Sequence, residues 1–415
     1  MKRLLKSFSM FFILLFCFTS IPLAANAAEP DINAQGCALI DATTGELLYG
    51  KNEDNCFEPA STTKVMTALV VLEHCSLDEK VTVKQNFTEI DGTAIGLLKG
   101  DELTIKDLLL GLLMESGNDC ANALAIHVSG SIEEFAKLMN EKAKSIGATN
   151  ANFENPSGLP DNNHVISPRN LALIMREAIN NKDLIEISTT PYATITMLND
   201  SSRTIIVNNK NYMINKNSKY YYPYAVSGKN GYTIRANHTY VAAAEKDGHV
   251  LVASFLNAAD KNQNFFDMQT VFNYGFNNFS FVKLYSKGDT VNEYEISKSV
   301  TVPLIATRDI GYVVPKGHEN SVSAELKIED KDLSKESFNE GDPIIKGTVI
   351  VDGQEFETLD LAAGESRTYD PPFSKASLSD KSNIPLYICF GIGAIVLCTG
   401  IGILIKVKLK NKKQY

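Results

Sequence analysis

The sequence predicts an α+β domain in residues 28–279, a small all-β domain in residues 280–372 and a C-terminal transmembrane helix in residues 384–405. Strand, helix, strand and helix patterns follow one another in the first segment, short β-like runs dominate the second, and the third is almost wholly apolar. The hydrophobic fraction of 44% suits folded domains. The formal net charge of -9 gives no basic footprint, so we expect no nucleic-acid partner.

The first 27 residues have the pattern of a secretory signal peptide. Basic residues precede an apolar run at residues 10–18, and small residues follow at a cleavage site, Ala25-Asn26-Ala27. An uncleaved membrane anchor is the alternative interpretation, but the apolar run is short for a span. We therefore expect residues 1–27 to be removed and the mature chain to begin near Ala28.

Periodicity gives the order of elements in the α+β domain. A hairpin is expected over residues 38–51. Helical patterns occupy residues 61–73, 104–114, 119–128 and 167–180, and strand patterns occupy residues 204–207, 233–244 and 250–256. The domain is expected to close with a helix, because four apolar residues recur at helical spacing: Phe265, Met268, Phe272 and Phe276.

The rest of the chain predicts a β domain and a membrane tether. Short β-like runs occur at residues 300–304, 325–328 and 346–351, and the last ends at a hairpin signal, Asp352-Gly353. A linker (373–383), a membrane span (384–405) and a basic cytoplasmic tail (406–415) are expected to follow. A buried core helix is the alternative for the apolar run. Because basic residues favour the cytoplasmic side, we expect a single-pass cell-membrane protein whose folded domains are extracytoplasmic.

Cysteine and histidine usage bounds the redox and metal chemistry. Four of the seven cysteines belong to the predicted extracytoplasmic part, and they allow three pairings that the sequence cannot distinguish: Cys37, Cys56, Cys75 and Cys120. The six histidines are scattered, and no paired spacing typical of zinc ligands occurs. We therefore expect no metal and no cofactor.

A serine and a lysine stand three residues apart in EPASTTKVMTAL, residues 58–69. If this run is helical, Ser61 and Lys64 share a face, and a nucleophile lies beside a candidate base. The lysine can act as a base only if burial or a second cation lowers its pKa toward 7 or 8. The alternative is an N-cap serine with a solvated lysine.

Two further stretches carry polar groups that suit such a site. In MESGNDCANALA (114–125), Ser116 can relay a proton and Asn118 can hold both a lysine and a substrate amide, although the stretch is also compatible with a helix-capping loop. In SGKNGYT (227–233), Lys229 can supply the second cation, and Gly231 can let a substrate backbone lie close to a strand. Asn230-Gly231 is, however, also a favoured hairpin turn.

Together these three stretches resemble the serine-type D-alanyl-D-alanine carboxypeptidases, the low-molecular-mass penicillin-binding proteins related to class A β-lactamases. The resemblance covers roughly residues 38–279, and NPSGLPD (155–161) is similar to a glycine-leucine loop of that family. It implies a β-lactamase/transpeptidase-like catalytic domain with an antiparallel sheet and helices. The β domain and the C-terminal anchor also fit the family layout, although no partner is indicated for the β domain.

The resemblance implies a role for each matching residue. Ser61 would attack the carbonyl between two D-alanines of a peptidoglycan stem peptide, Lys64 would be the general base, and Ser116 would pass a proton toward the leaving amine. Substrate binding would fall to Asn118, Lys229, Asn230, Gly231 and Tyr232. The backbone N–H groups of Ser61 and Tyr232 would hold the oxyanion. β-Lactam antibiotics would acylate Ser61 as covalent inhibitors.

One position departs from the family pattern. Where the family has lysine-threonine-glycine, this chain has Lys229-Asn230-Gly231. Asparagine keeps a donor and an acceptor but is bulkier and fits a strand less well than threonine. A catalytically impaired penicillin-binding protein of the wall therefore stays open as an alternative. A β-lactamase is a further alternative; Glu154 could be mistaken for its deacylating glutamate, but the surrounding loop is more similar to the carboxypeptidase type.

Overall fold

The computed structural model describes residues 28–87, 89–371, 392 and 395–406. The predicted signal peptide, the linker, half of the predicted membrane span and all but Lys406 of the basic tail lie outside the described residues. Residues 395–406 are helical. Within the described part of the chain, no helix is long and apolar enough to cross a membrane.

The chain divides into two compact units. The first comprises residues up to Val282 together with Gly311–Asn320, and the second comprises Lys283–Ile310 and the residues from Ser321 onward. Twelve strands begin before residue 283. In chain order they are β1 (Ala34–Asp41), β2 (Leu47–Lys51), β3 (Lys80–Thr82), β4 (Glu102–Thr104), β5 (Ala151–Asn152), β6 (Val165–Ile166), β7 (Tyr192–Thr196), β8 (Thr204–Asn208), β9 (Ala225–Thr233), β10 (Asn237–Lys246), β11 (His249–Ala258) and β12 (Phe279–Tyr285), counted over the described residues. The helices are α1 (Lys64–His74), α2 (Ile105–Leu110), α3 (Asn118–Ser129), α4 (Ile132–Ser145), α5 (Pro168–Ala178), α6 (Lys182–Thr189) and α7 (Lys261–Asn278).

A five-stranded antiparallel sheet forms the centre of the first unit. Its strand order is β2-β1-β11-β10-β9, so β9 is an edge strand. Alternate residues of β1 belong to different cores, because successive side chains of a strand point to opposite faces. Ala38 and Ile40 pack in the core that contains α1, α3 and α5, whereas Cys37 and Leu39 pack in the core that contains α7. Helices therefore cover both faces of the sheet.

The predicted elements of this unit are largely confirmed. The hairpin over β1 and β2, the closing helix α7 and the helix interruption before α3 are all present. The predicted first helix is wrong at its start, because residues Ala60–Thr63 form a 3₁₀ turn and α1 begins only at Lys64. Cys37, Cys56, Cys75 and Cys120 are all free.

Up to residue 371, the second unit is all-β, as predicted. Its strands are β13 (Thr290–Ser297), β14 (Val300–Ala306), β16 (Ala324–Ile328), β17 (Pro343–Val351) and β18 (Gln354–Ala363). The strand between β14 and β16 in sequence, β15 (Ile310–Pro315), pairs with β12 instead. Five of them form a sheet in the order β13-β14-β18-β17-β16. The predicted hairpin at Asp352-Gly353 joins β17 to β18, and both residues have positive φ, 49° and 79°. Such values are what a two-residue hairpin turn requires.

Candidate active site

Ser61 lies in the 3₁₀ turn that leads into α1. The turn is fixed by two hydroxyls, since Thr62 Oγ1 and Thr239 Oγ1 donate to the Pro59 carbonyl at 2.7 and 2.8 Å. The residue before the serine, Ala60, has φ of 48°, a left-handed conformation that costs a non-glycine residue energy. This turn presents Ser61 to a surface cleft while the next turn of chain enters the core.

Lys64 is the first residue of α1 and is fully buried. Its Nζ lies 2.9 Å from Ser61 Oγ, 2.7 Å from Asn118 Oδ1 and 2.7 Å from the Ser157 carbonyl oxygen. Burial, helped by the positive charge of Lys229, lowers the pKa of Lys64 well below its usual value. The predicted contact between Ser61 and Lys64 is therefore present, and the alternative of a solvated lysine is wrong.

The hydrogen bonds of Lys64 can be satisfied by either protonation state of the amine, and its lowered pKa favours the neutral form. Two of its three neighbours are carbonyl oxygens, which can only accept hydrogen bonds. A neutral amine has two N–H bonds, which satisfy these two acceptors, and one lone pair. The lone pair is then available to the third neighbour, the Ser61 hydroxyl. This arrangement can remove the proton of Ser61 without any rearrangement of Lys64.

Ser116 and Asn118 come to the site from an irregular helix junction. The π-helical segment Gly111–Glu115 ends at Ser116, whose φ is 72°. Asn118 starts α3; its Oδ1 accepts from Lys64 and its Nδ2 donates to the Asp91 carbonyl at 2.7 Å. The junction is thus more than a helix-capping loop, because it brings the Asn118 amide to Lys64 and the Ser116 hydroxyl to Lys229.

Lys229 lies inside edge strand β9 and is 3% exposed. Its Nζ donates to Ser116 Oγ at 3.1 Å and to the Asn230 carbonyl at 2.8 Å. Burial lowers its pKa to about 7, against an opposing effect of the Glu115 carboxylate. Asn230 pairs with Tyr240 of β10, so the alternative of an Asn230-Gly231 hairpin turn is wrong.

Gly231 allows β9 to approach the serine turn. A Cβ on this residue would lie 2.6 Å from the Ser61 backbone nitrogen and 2.6 Å from Thr239 Oγ1. Any side chain here would push the strand away from Ser61. The predicted close approach at Gly231 is therefore present, but the group that approaches is the Ser61 backbone of the protein itself.

The loop that contains NPSGLPD packs against Lys64 and the turn that carries Ser61. Asn155 Oδ1 accepts from the backbone N–H groups of Ser157, Gly158 and Leu159, which fixes the loop and directs the Ser157 carbonyl at Lys64. Gly158 has φ of 83°, and a Cβ there would lie 1.8 Å from the Ala60 carbonyl oxygen. Only glycine fits this position.

Sequence reasoning assigned no role to several residues that surround the site. One is Ser157, whose carbonyl contacts Lys64. Another is His164, a buried residue whose Nε2 lies 2.9 Å from Thr63 Oγ1. Burial lowers the pKa of His164 to about 4, so this ring is neutral at physiological pH. The motif around Ser157 indicates that its loop lies beside the site but not which atom contacts Lys64, whereas His164 carries no local signal.

Two cavities meet at Ser61, and both are also lined by Thr93 and Tyr232. The first has a volume of about 480 Å³ and includes Ser116, Asn230 and Gly231 together with several charged side chains: Lys210, Lys229, Lys261 and Glu115. The second has a volume of about 600 Å³; it includes Asn118 and a largely apolar wall: Leu159, Pro160 and Ile234. The structure thus brings all eight predicted site residues together, with Lys64 buried beneath Ser61. Glu154 lines neither cavity; it is exposed, and its Oε1 accepts from Asn152.

A serine beside a buried lysine of lowered pKa, in a helix-flanked antiparallel sheet, defines a serine hydrolase. A family profile described as D-alanyl-D-alanine carboxypeptidase matches residues 23–260, and one described as penicillin-binding protein 5, C-terminal domain, matches residues 279–369. The first match covers more than half of the chain. The protein therefore belongs to the D-alanyl-D-alanine carboxypeptidase family of serine peptidases.

Individual relatives agree with this assignment. The chain is 30% identical over 391 residues to D-alanyl-D-alanine carboxypeptidase DacF of Bacillus subtilis (strain 168), which covers 91% of this chain and 95% of that protein. The structure is similar to penicillin binding protein 5 of Haemophilus influenzae, with a TM-score of 0.65, 26% identity and coverage of 82% and 99% of the two chains. A D-alanyl-D-alanine carboxypeptidase of Mycobacterium tuberculosis gives a TM-score of 0.56 at 31% identity, covering 61% and 95%.

Proposed function

We propose that this protein removes the terminal D-alanine from peptidoglycan stem peptides ending in D-Ala-D-Ala, with Ser61 as the nucleophile. The observation that carries the proposal is the 2.9 Å contact between Ser61 Oγ and the buried Lys64 amine. Serine alone is a weak nucleophile, and a neutral amine at this distance is a base that can activate it.

Acylation follows from the hydrogen-bond pattern at Lys64. Ser61 Oγ attacks the carbonyl carbon between the two D-alanines as its proton moves to the lone pair of Lys64. The resulting ammonium has three N–H bonds, of which two are already directed at the Asn118 and Ser157 oxygens. The positive charge that forms on Lys64 therefore appears in a site prepared to receive it.

Collapse of the tetrahedral intermediate requires a proton for the leaving amine. The Ser116 hydroxyl contacts Lys229. Ser116 directly follows the π-helical segment and lies two residues before Asn118. We assign Ser116 as the relay that passes a proton to the departing D-alanine nitrogen. Water then attacks the Ser61 ester, which releases the shortened peptide and restores the hydroxyl.

The two cavities give the substrate a direction. The leaving D-alanine carries the terminal carboxylate, and the cationic cavity offers Lys210, Lys229 and Lys261 to bind it. The Asn230 amide lines the same cavity and can donate to this carboxylate in place of the family threonine. The rest of the stem peptide then lies along the more apolar cavity beside Leu159 and Ile234.

The oxyanion hole is assigned to the backbone N–H groups of Ser61 and Tyr232. Gly231 brings this part of β9 against the serine turn, which supports a pair of donors converging near Ser61. Removing one such donor typically costs about 3 to 4 kcal/mol of transition-state stabilisation.

We further propose that the protein acts outside the cytoplasm, tethered to the cell membrane by residues 384–405. The support is the apolar sequence of this segment, the basic residues that follow it and the signal-like pattern of residues 1–27. The all-β unit between the enzyme and the tether would hold the first unit above the bilayer or bind a partner.

Penicillin acylation tests the role of Ser61. The full chain is incubated with a β-lactam, and the site of the adduct is located by peptide mass spectrometry. We expect one adduct, on the peptide containing Ser61, absent in Ser61→Ala and present in the exposed control Ser201→Ala. Slow release of the adduct would favour the carboxypeptidase, whereas rapid hydrolysis of the free antibiotic would favour a β-lactamase. An adduct that persists in Ser61→Ala would overturn the assignment.

A further inference from the structure

A cluster of three potential metal ligands lies away from the active site. Cys75, Glu79 and His127 are the one group of this kind in the described part of the chain whose ligand atoms all lie within 4.8 Å of one another. His127 Nε2 is 2.7 Å from Glu79 Oε1. All three side chains are at least partly accessible, so an ion from solvent can reach them.

The backbone around the cluster is well fixed. The Cys75 N–H closes α1 by donating to the Val71 carbonyl at 2.9 Å. Glu79 is held on both sides, because its N–H donates to the Ser76 carbonyl and its carbonyl accepts from Ile105. His127 lies in the last turn of α3. Binding an ion would therefore require side-chain adjustment rather than folding of a loop.

The chemistry of the three groups suits a transition metal. A thiolate, an imidazole and a carboxylate are the zinc ligands found in proteins, and together with Zn²⁺ they give a neutral site. Ligand atoms on one tetrahedral zinc lie about 3.5 Å apart, so the 2.7 Å contact between His127 Nε2 and Glu79 Oε1 needs to open by about 1 Å to admit the ion. The carboxyl ends of α1 and α3 both meet here, and their dipoles favour a cation.

We propose that Cys75, Glu79 and His127 bind one divalent transition metal ion, with Zn²⁺ as the expected ion and water as its fourth ligand. On binding, the Cys75 thiol gives its proton to solvent and its sulfur bonds to the metal, while the hydrogen on His127 Nε2 moves to Nδ1 or to solvent so that Nε2 and the Glu79 carboxylate can both bind the ion. The established activity does not require this site. Two of its ligands, Cys75 and His127, are at the far ends of α1 and α3, the helices that begin with Lys64 and Asn118.

The location indicates what the metal would do. Lys64 and Asn118 contact each other through a 2.7 Å hydrogen bond at the amino ends of the two helices. A metal ion joining Cys75 to His127 would connect the carboxyl ends of the same helices. The pair of helices that orders the catalytic lysine would then be held at both ends.

Cobalt binding tests the proposal directly, because a cobalt–thiolate bond gives a charge-transfer absorption that other ligands do not. The full chain is titrated with Co²⁺ alone. We expect one equivalent to bind with this absorption, which disappears in Cys75→Ser. Glu79→Gln and His127→Asn are expected to weaken binding by at least about tenfold. Matched controls are Cys56→Ser and His74→Asn, which lie outside the cluster and should leave binding unchanged.

A second measurement uses the unmodified protein and needs no variant to fold. Iodoacetamide alkylation is mapped by mass spectrometry with and without Zn²⁺. We expect Zn²⁺ to protect Cys75 but not the exposed Cys56. Equal alkylation of Cys75 in both conditions, or a thiolate absorption that persists in Cys75→Ser, would overturn the proposal. Penicillin acylation of each variant reports folding independently of the metal.

Discussion

The surroundings of Lys64 and of Lys229 form two contrasting regions of one site. Each amine is buried within hydrogen-bonding distance of a serine hydroxyl. Lys64 faces two carbonyl oxygens, from Asn118 and Ser157, and burial and the Lys229 charge both lower its pKa. The pKa of Lys229 is lowered by burial to about 7, while the Glu115 carboxylate acts in the opposite direction.

The different surroundings of the two lysines explain how one residue type can act as a base at Lys64 and as a cation at Lys229. Because two like charges in close contact repel each other, the pair favours a single positive charge near neutral pH. The carboxylate beside Lys229 favours that charge on Lys229, where it meets the substrate carboxylate. Lys64 is left neutral and can act as the base. The following predictions test this division of roles.

The largest expected effect comes from removing the base. Lys64→Ala should reduce the rate of penicillin acylation by about 10³-fold, because Lys64 is the base hydrogen-bonded to the Ser61 hydroxyl among the residues that the structure describes. Stopped-flow acylation measurements check this. The exposed Lys99→Ala is the control and should acylate at the normal rate. Acylation of Lys64→Ala within tenfold of the natural protein would assign the base elsewhere.

The next effect tests the loop that holds Lys64 in place. Gly158→Ala puts a Cβ against the Ala60 carbonyl at a residue with φ of 83°, and should cost about 2 to 4 kcal/mol of unfolding free energy. Gly130→Ala is a matched control with φ of 87° and open space around it, so only the backbone cost of about 1 kcal/mol applies. Chemical denaturation compares the two. Equal losses would show that contact with the serine turn is unimportant.

Lys229→Ala should slow acylation by about 10- to 100-fold and also change its pH dependence. Without the Lys229 charge the pKa of Lys64 rises toward its usual value. Since Lys64 must be neutral to act, the acid limb of the pH–rate profile should move to higher pH. A slower reaction with an unmoved acid limb would limit Lys229 to substrate binding.

The smallest effect is expected at Glu115, which raises the pKa of Lys229 and also pairs with Lys210 at 2.9 Å. In Glu115→Gln the pKa of Lys229 should fall, because the carboxylate that raises it is gone. Lys229 then loses its positive charge at a lower pH. Because the charged lysine binds the substrate carboxylate, the alkaline limb of 1/KM for the peptide should move to lower pH. Glu186→Gln, an exposed carboxylate paired with Lys106, is the control. A shift to higher pH would contradict the assigned roles.

Local patterns were sufficient for much of this fold and for the centre of the site. Ser61 and Lys64 are three residues apart, so helical geometry alone predicts their contact, and Asp352-Gly353 predicts its own turn. Helix α4 was not predicted, although its N-cap, Ser131, and the spacing of Phe135 and Met139 are local signals for it.

The remainder depends on contacts between distant parts of the chain. Asn230-Gly231 has the local signal of a turn, but pairing with β10 makes it a strand. The Ser157 carbonyl reaches Lys64 across 93 residues of sequence, and no local pattern specifies that contact. The positive φ of Ser116 follows from the π-helical segment before it, which periodicity does not reveal. Tertiary packing decides each of these cases.

Release of D-alanine from a pentapeptide ending in D-Ala-D-Ala distinguishes an active carboxypeptidase from a penicillin-binding protein that is only acylated. The full chain is compared with Ser61→Ala, and free D-alanine is measured enzymatically. We expect release by the natural protein that vanishes in Ser61→Ala, which would also show that Asn230 can replace the family threonine. A folded protein that forms the penicillin adduct at Ser61 yet releases no D-alanine would overturn the proposed function.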